Sequence, residues 1–126
     1  MYISVLPDSD TPAYKQIYEQ IIGQILSGAF PPGSVLPPIR AVANEIGTSV
    51  VTVRSAWELL EKEGFIETRA GSGCYVRPLS APQTEKLREN AVLPALKQFA
   101  AAAEKLGLTY EEAREMLEKE MKKNKE

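Results

Sequence analysis

The sequence predicts a mainly α-helical chain with one small β-hairpin, three helices before it and two after. Apolar residues recur at helical spacing, three or four apart, in separate stretches along the chain, so each stretch has one face to bury. Residues 65–77 instead place β-branched and aromatic side chains on either side of a glycine turn, as a hairpin requires. Beyond Pro82 the composition shifts to Ala, Leu, Glu and Lys, which sets the last two helices apart from what precedes them.

Residues 2–5 alternate weakly and are expected to form a short strand. DSDTPAY at 8–14 reads as a helix start, with an Asp or Thr cap and Pro12 at the first helical position, where its missing N–H is no loss. Tyr14, Ile17, Tyr18, Ile21, Ile22, Ile25 and Leu26 then share one stripe, and this helix should end near Ser27 and Gly28. Tyr14 and Tyr18 are read as packing residues rather than ligand contacts. Phe30-Pro31-Pro32-Gly33 is a turn. Leu36-Pro37-Pro38 opens a short second helix with Ile39, Val42, Ala43 and Ile46 as its apolar positions and Gly47 as its stop. Gly47-Thr48-Ser49 turns into a third helix, and two short helices across a tight glycine turn make a helix-turn-helix.

The third helix, residues 48–64, has two unlike halves. Val53, Ala56, Trp57 and Leu60 give its second half an apolar face, with Glu58, Glu61, Lys62 and Glu63 opposite. Its first half offers small hydroxyls, valines and Arg54, and no acid. Ser49 or Thr48 can cap the first turn, and Gly64 stands where a left-handed C-cap belongs. A helix anchored by its C-terminal half and presenting short side chains from its first turns is built like a reader of the DNA major groove.

A helix-turn-helix followed by a hairpin is a winged helix. Its wing tip is Gly71-Ser72-Gly73, small enough to approach a phosphate backbone. One glycine would suffice for the turn alone, so the pair points to a contact surface. Residues 78–82 read as a stiff linker. Past it, Val92, Leu96, Phe99, Ala103 and Leu106 follow a heptad-like 4, 3, 4, 3 spacing along one face. Pro94 should kink that helix or mark a new start. Leu106-Gly107-Leu108 breaks it, and Thr109-x-x-Glu112 is a capping box for a last helix with Tyr110, Ala113, Met116, Leu117 and Met121 on its apolar face. The expected organisation is a winged helix over residues 1–78, a linker over 79–82 and a helical appendage over 83–126.

The composition excludes several classes of function. There is no histidine and a single cysteine, Cys74, so the commonest general base, the commonest metal ligand and any internal disulfide are missing. No nucleophile–base set is visible, which argues against an enzyme, and no cofactor or metal is implied. Cys74 reads as a small strand residue facing the core rather than a redox sensor. No apolar run is long enough to span a membrane and no secretion signal is seen, so the expected location is the cytoplasm, with no membrane partner. Net charge is −2, which weighs against nucleic acid. The acids are absent, however, between Glu45 and Glu58, and only Glu67 faces Arg69 and Arg77 in residues 66–78. A locally positive face can be built from these stretches. A winged helix used for protein–protein contact is the alternative.

The spacing of PAYKQI at 12–17, GAFPPG at 28–33, LPPIRAVANEIG at 36–47, TVRSAWELLEKEGFIETRAGSG at 52–73 and YV at 75–76 resembles the GntR family of bacterial transcription regulators. The short helical tail is similar to the YtrA-like subgroup, which lacks a large effector-binding domain. The resemblance implies a DNA-binding regulator of transcription in which Arg40, Ser49, Thr52, Arg54, Gly71 and Gly73 meet DNA; Val50, Val51, Arg69 and Ser72 complete the expected surface. The chain departs from the family where Val50 and Val51 replace more polar or basic residues and Pro38 replaces serine. A valine can touch a thymine methyl but cannot hydrogen-bond a base edge. Phosphate contacts then carry a larger share of binding, and these position more than they specify.

One winged helix reads few base pairs, so a homodimer on a palindromic double-stranded operator is expected, most simply as a repressor. Val92, Leu96, Phe99, Ala103, Leu106, Met116 and Leu117 are the expected dimerisation residues. Met116, Leu117 and Met121 are expected to cover part of the stripe within the chain, leaving the rest for the second copy. Whether a small-molecule effector exists, and which genes are regulated, the sequence leaves open.

Overall fold

The structure is a computed structural model and describes residues 2–125. The elements run α1 (Ala13–Leu26), α2 (Ile39–Ile46), α3 (Val50–Lys62), β1 (Ile66–Arg69), β2 (Gly73–Val76), α4 (Ala81–Lys105) and α5 (Tyr110–Asn124). The chain divides into two compact units, Met1–Thr84 and Glu85–Glu126.

In the first unit the core lies chiefly between α1 and α3. Ile17 and Ile21 of α1 and Val53, Ala56 and Leu60 of α3 are wholly enclosed. Val42 and Ala43 of α2 and Ile66 and Val76 of the hairpin are buried with them. Burial, then the Glu63 and Glu19 carboxylates, push the Tyr18 hydroxyl above its ordinary pKa, in keeping with a packing role. The hinges between elements are set by backbone that glycine tolerates. Gly47 ends α2 at φ 72°, and Gly64 follows α3 at φ 84°. At the end of α3 the Gly64 N–H donates to the Glu61 carbonyl at 3.1 Å and the Phe65 N–H to the Leu60 carbonyl at 2.9 Å, with Phe65 and Leu60 both buried. This closing motif sends the chain directly from α3 into the wing.

The hairpin pairs Ile66 with Val76, Glu67 with Tyr75, Thr68 with Cys74 and Arg69 with Gly73. A further extended stretch lies along β2 and is not signalled by the local sequence pattern. The Leu36 N–H donates to the Cys74 carbonyl at 2.8 Å and the Val76 N–H to the Ser34 carbonyl at 2.9 Å, with Val35 bridged to Tyr75. The LPPIR segment is thereby tied to the wing.

Three expectations for this unit are corrected. Residues 2–5 are extended but form no strand, because their partners are side chains. Tyr2, Ser4 and Leu6 each donate an N–H to, and accept a bond from, the amide group of Gln24, Gln20 and Gln16 respectively, at 2.6–3.3 Å. A two-residue step along an extended chain, roughly 6.7 Å, nearly matches a four-residue step along a helix, about 6 Å, so one register holds along the ladder. Next, α1 begins at Ala13 with Pro12 as its N-cap and no side-chain cap from Asp or Thr. The Pro12 ψ of 148° is extended, so the proline flanks the helix instead of opening it. Lastly, the supposed linker is partly helical. Ser80 caps α4: its hydroxyl accepts the Gln83 N–H at 3.2 Å while the Gln83 side chain accepts the Ser80 N–H at 2.9 Å. Pro82 lies inside the first turn, where no N–H is required.

In the tail, α4 runs unbroken through Pro94, which therefore marks no new start. Gly107, at φ 72°, ends α4, with the Leu108 N–H donating to the Ala103 carbonyl at 2.8 Å. Thr109 and Glu112 form the expected capping box. The Thr109 N–H, then its hydroxyl, hold the Glu112 carboxyl below its ordinary pKa. The expected covering of the stripe by α5 is absent: Met116, Leu117 and Met121 are exposed, as are Val92, Leu96 and Leu106. Burial is concentrated at the corner, where Ala103 is buried and Phe99, Leu108 and Ala113 are half-buried, with Leu87 half-buried near the start of the unit. A tight corner brings only the adjoining turns of two helices together, which leaves their distal apolar faces uncovered.

Candidate nucleic-acid interface

The first turns of α3, the start of α2 and the wing tip surround one open cleft of about 630 Å³. Its floor and walls are apolar, from Val35, Leu36, Pro37, Pro38, Ile39, Val50, Trp57 and Cys74. Arg40 and Arg54 enter it from α2 and α3, and Ser72 and Gly73 close it from the wing. No carboxylate lines it. Among the described residues neither arginine forms an ion pair, so Arg40 is not consumed by Glu45. A net-negative chain thus carries two uncompensated guanidinium groups on one concave face, a local arrangement suited to phosphate or a base edge.

Of the expected site residues, this cleft brings together Arg40, Val50, Arg54, Ser72 and Gly73. Ser49 and Thr52 open the helix beside it but also serve the helix itself. The Ser49 hydroxyl accepts the Thr52 N–H at 3.1 Å, and the two hydroxyls lie 2.8 Å apart. Val51 is largely exposed, at 66%.

The wing has two faces. Its inner face carries Thr68, whose hydroxyl donates to the Glu61 carboxylate of α3 and lies 3.4 Å from the Cys74 sulfur. That bond ties the wing to the helix that lines the cleft. Cys74 is half-buried there. The outer face carries Arg69, which lies outside the cleft lining. Its guanidinium donates to Glu67 at 2.8 Å and sits 4.2 Å above the Tyr75 ring. Tyr75 in turn reaches Ser72 at the tip, hydroxyl to hydroxyl at 2.5 Å. Gly71 and Gly73 adopt φ values of 74° and 117°. Both positions therefore favour glycine for backbone reasons, and the pair by itself is no sign of a contact surface. Sequence reasoning missed Val35, Pro37, Ile39 and Trp57 as cleft residues; Val35 is brought there by pairing between segments about forty residues apart in the chain, and Ile39 and Trp57 read only as apolar positions of α2 and α3.

Residues 13–76 match the family model described as "Bacterial regulatory proteins, gntR family". The chain is 33% identical over 115 residues to the HTH-type transcriptional repressor YtrA of Bacillus subtilis, covering 91% of this chain and 88% of that protein. It is 39% identical over 72 residues to the probable rhizopine catabolism regulatory protein MocR of Rhizobium meliloti, but spans only 15% of that protein's length. Among solved structures, a GntR family transcriptional regulator from Listeria monocytogenes superposes with a TM-score of 0.80 at 27% identity, covering 89% of this chain and 97% of that one. The DNA-binding domain of AraR, solved in complex with operator ORX1, superposes at 0.53 with 28% identity, covering 60% of this chain and 98% of that one.

Proposed function

The chain belongs to the gntR family of bacterial regulatory proteins, DNA-binding regulators of transcription, and from that premise we propose that it is a repressor that binds a palindromic operator as a homodimer. One observation carries the reading: Arg40 and Arg54, neither ion-paired among the described residues, share a cleft with the first turns of α3 and the wing tip. In this reading α3 enters the major groove. Arg40 and Arg54 hold phosphate or base edges, and Ser49, Val50, Val51 and Thr52 lie along the groove. The wing, with Arg69, Gly71, Ser72 and Gly73, follows the adjoining backbone.

Dimerisation is supported by the uncovered tail. Val92, Leu96, Leu106, Met116 and Leu117 leave apolar surface in water, and Phe99 and Ala103 adjoin it at the corner. A second copy related by a two-fold axis would cover the same patch on both chains. The assignment as a repressor follows the printed role of the Bacillus subtilis relative. Selecting binding sequences from a random duplex library tests the reading. The expected winners are palindromes whose half-sites lie about 10 base pairs apart, one helical turn. Failure to enrich any sequence would overturn it.

A further inference from the structure

The side chains that open α3 divide unevenly. The Ser49 hydroxyl caps the helix by accepting the Thr52 N–H, and the Thr52 hydroxyl lies 2.8 Å from it. Val50 is half-buried against the cleft. Val51 is different: it is 66% exposed, and its β-branch makes it a poorer helix former than alanine at such a position. Most of its isopropyl group faces solvent.

We propose that Val51 is a specificity-determining residue that reads the 5-methyl group of a thymine in the major groove. The inference rests on the DNA-binding reading above and adds the base it selects. Thymine alone among the four bases presents a methyl on the groove edge. Over adenine, guanine or cytosine, a valine would cover a donor or acceptor without pairing it, and leaving such a group unpaired weakens binding. Over thymine the same side chain buries a methyl against its own. Arg54 lies three residues further along α3, on the next turn, so the thymine should lie close to the base or phosphate that Arg54 takes.

The test uses the full chain and a duplex enriched on it from a random library. Each thymine of that duplex is replaced singly by uracil, which keeps every hydrogen-bonding group and removes the methyl. Wild-type affinity should fall about fourfold at one thymine of each half-site, the effect of burying one methyl-sized group. Val51→Ala should bind the thymine duplex more weakly, and thymine and uracil duplexes equally at that position, with an unchanged melting temperature. If no uracil substitution weakens the wild type, or if Val51→Ala keeps the same fourfold loss, the inference is wrong while DNA binding stands. If the wild type enriches no duplex at all, the DNA-binding reading fails and takes this inference with it.

Discussion

The uncovered tail makes a quantitative claim about assembly. Val92 is 58% and Leu96 50% exposed, so each has about half its side chain still to bury. Complete burial of such a side chain is worth about 1.5–3 kcal/mol, so covering the remaining half gives about 1 kcal/mol. Two-fold symmetry brings two of these from each chain, for about 4 kcal/mol, or about a thousandfold in the dimer dissociation constant. Val92→Glu with Leu96→Glu removes that gain and places carboxylates where the second copy should pack. Because both residues are already exposed in the single chain, the substitutions should leave its helices intact, as circular dichroism would show. Light scattering at micromolar concentration should give the mass of two chains for the wild type and of one chain for the variant. A wild type of single-chain mass would refute the argument, as would a variant that stays dimeric.

The other expectations concern the wing, the arm and the tail cap. Ser72→Glu puts an acid at the rim of the cleft without the backbone strain that replacing Gly71 or Gly73 would bring; duplex affinity should fall at least tenfold with the melting temperature nearly unchanged, and undiminished affinity would mean the wing faces away from DNA. Gln20→Ala removes both bonds to Ser4, worth roughly 0.5–1.5 kcal/mol each; hydrogen exchange at the Ser4 amide should quicken several-fold, and unchanged protection would mean the ladder does not hold the arm. Glu112 is held below the ordinary carboxyl pKa of 4.5, so its support for α5 is present above that value and lost as pH falls through its lower folded value. Glu112→Gln keeps an acceptor that does not titrate, so it should lose less helicity than the wild type between pH 5 and the acid limit of the titration, roughly the carboxyl range. Identical acid profiles would deny Glu112 that role.

Local chemistry made most elements legible. Gly47, Gly64 and Gly107 mark the helix ends because the chain must turn left-handed there, and Ser49 and Thr109 mark helix starts because their hydroxyls meet orphan N–H groups. The hairpin was legible for the same reason. What escaped depends on partners distant in sequence. Tyr2, Ser4 and Leu6 look like part of a strand, but Gln16, Gln20 and Gln24 complete them, and those glutamines read only as the polar side of a helix. Val35 joins the wing through Tyr75, which no local pattern reveals. The Ser80–Gln83 capping box was legible but masked by Pro78 and Pro82 on either side of Ser80, which suggested a linker. At the candidate site, Arg54 stood out through the absence of acids between Glu45 and Glu58, and Arg40 through the resemblance of its LPPIR segment to the gntR family. The split between Val50, half-buried, and Val51, exposed, could be seen only once α3 was set against the cleft.

The most direct test of the account is the salt dependence of duplex binding by the wild type and by the Arg40→Ala, Arg54→Ala double variant. If the cleft holds DNA, wild-type affinity falls steeply with salt, and each lost phosphate contact reduces the slope of log affinity against log salt by about 0.9. In a dimer the double variant loses both arginines from each of two copies, so its slope should be smaller by nearly 4 if all four meet phosphate, or by less, with at least a tenfold loss of affinity, if one arginine of each copy reads a base. Its melting temperature should match the wild type, since both side chains are exposed. A double variant with wild-type affinity and wild-type slope would contradict the assignment of this cleft.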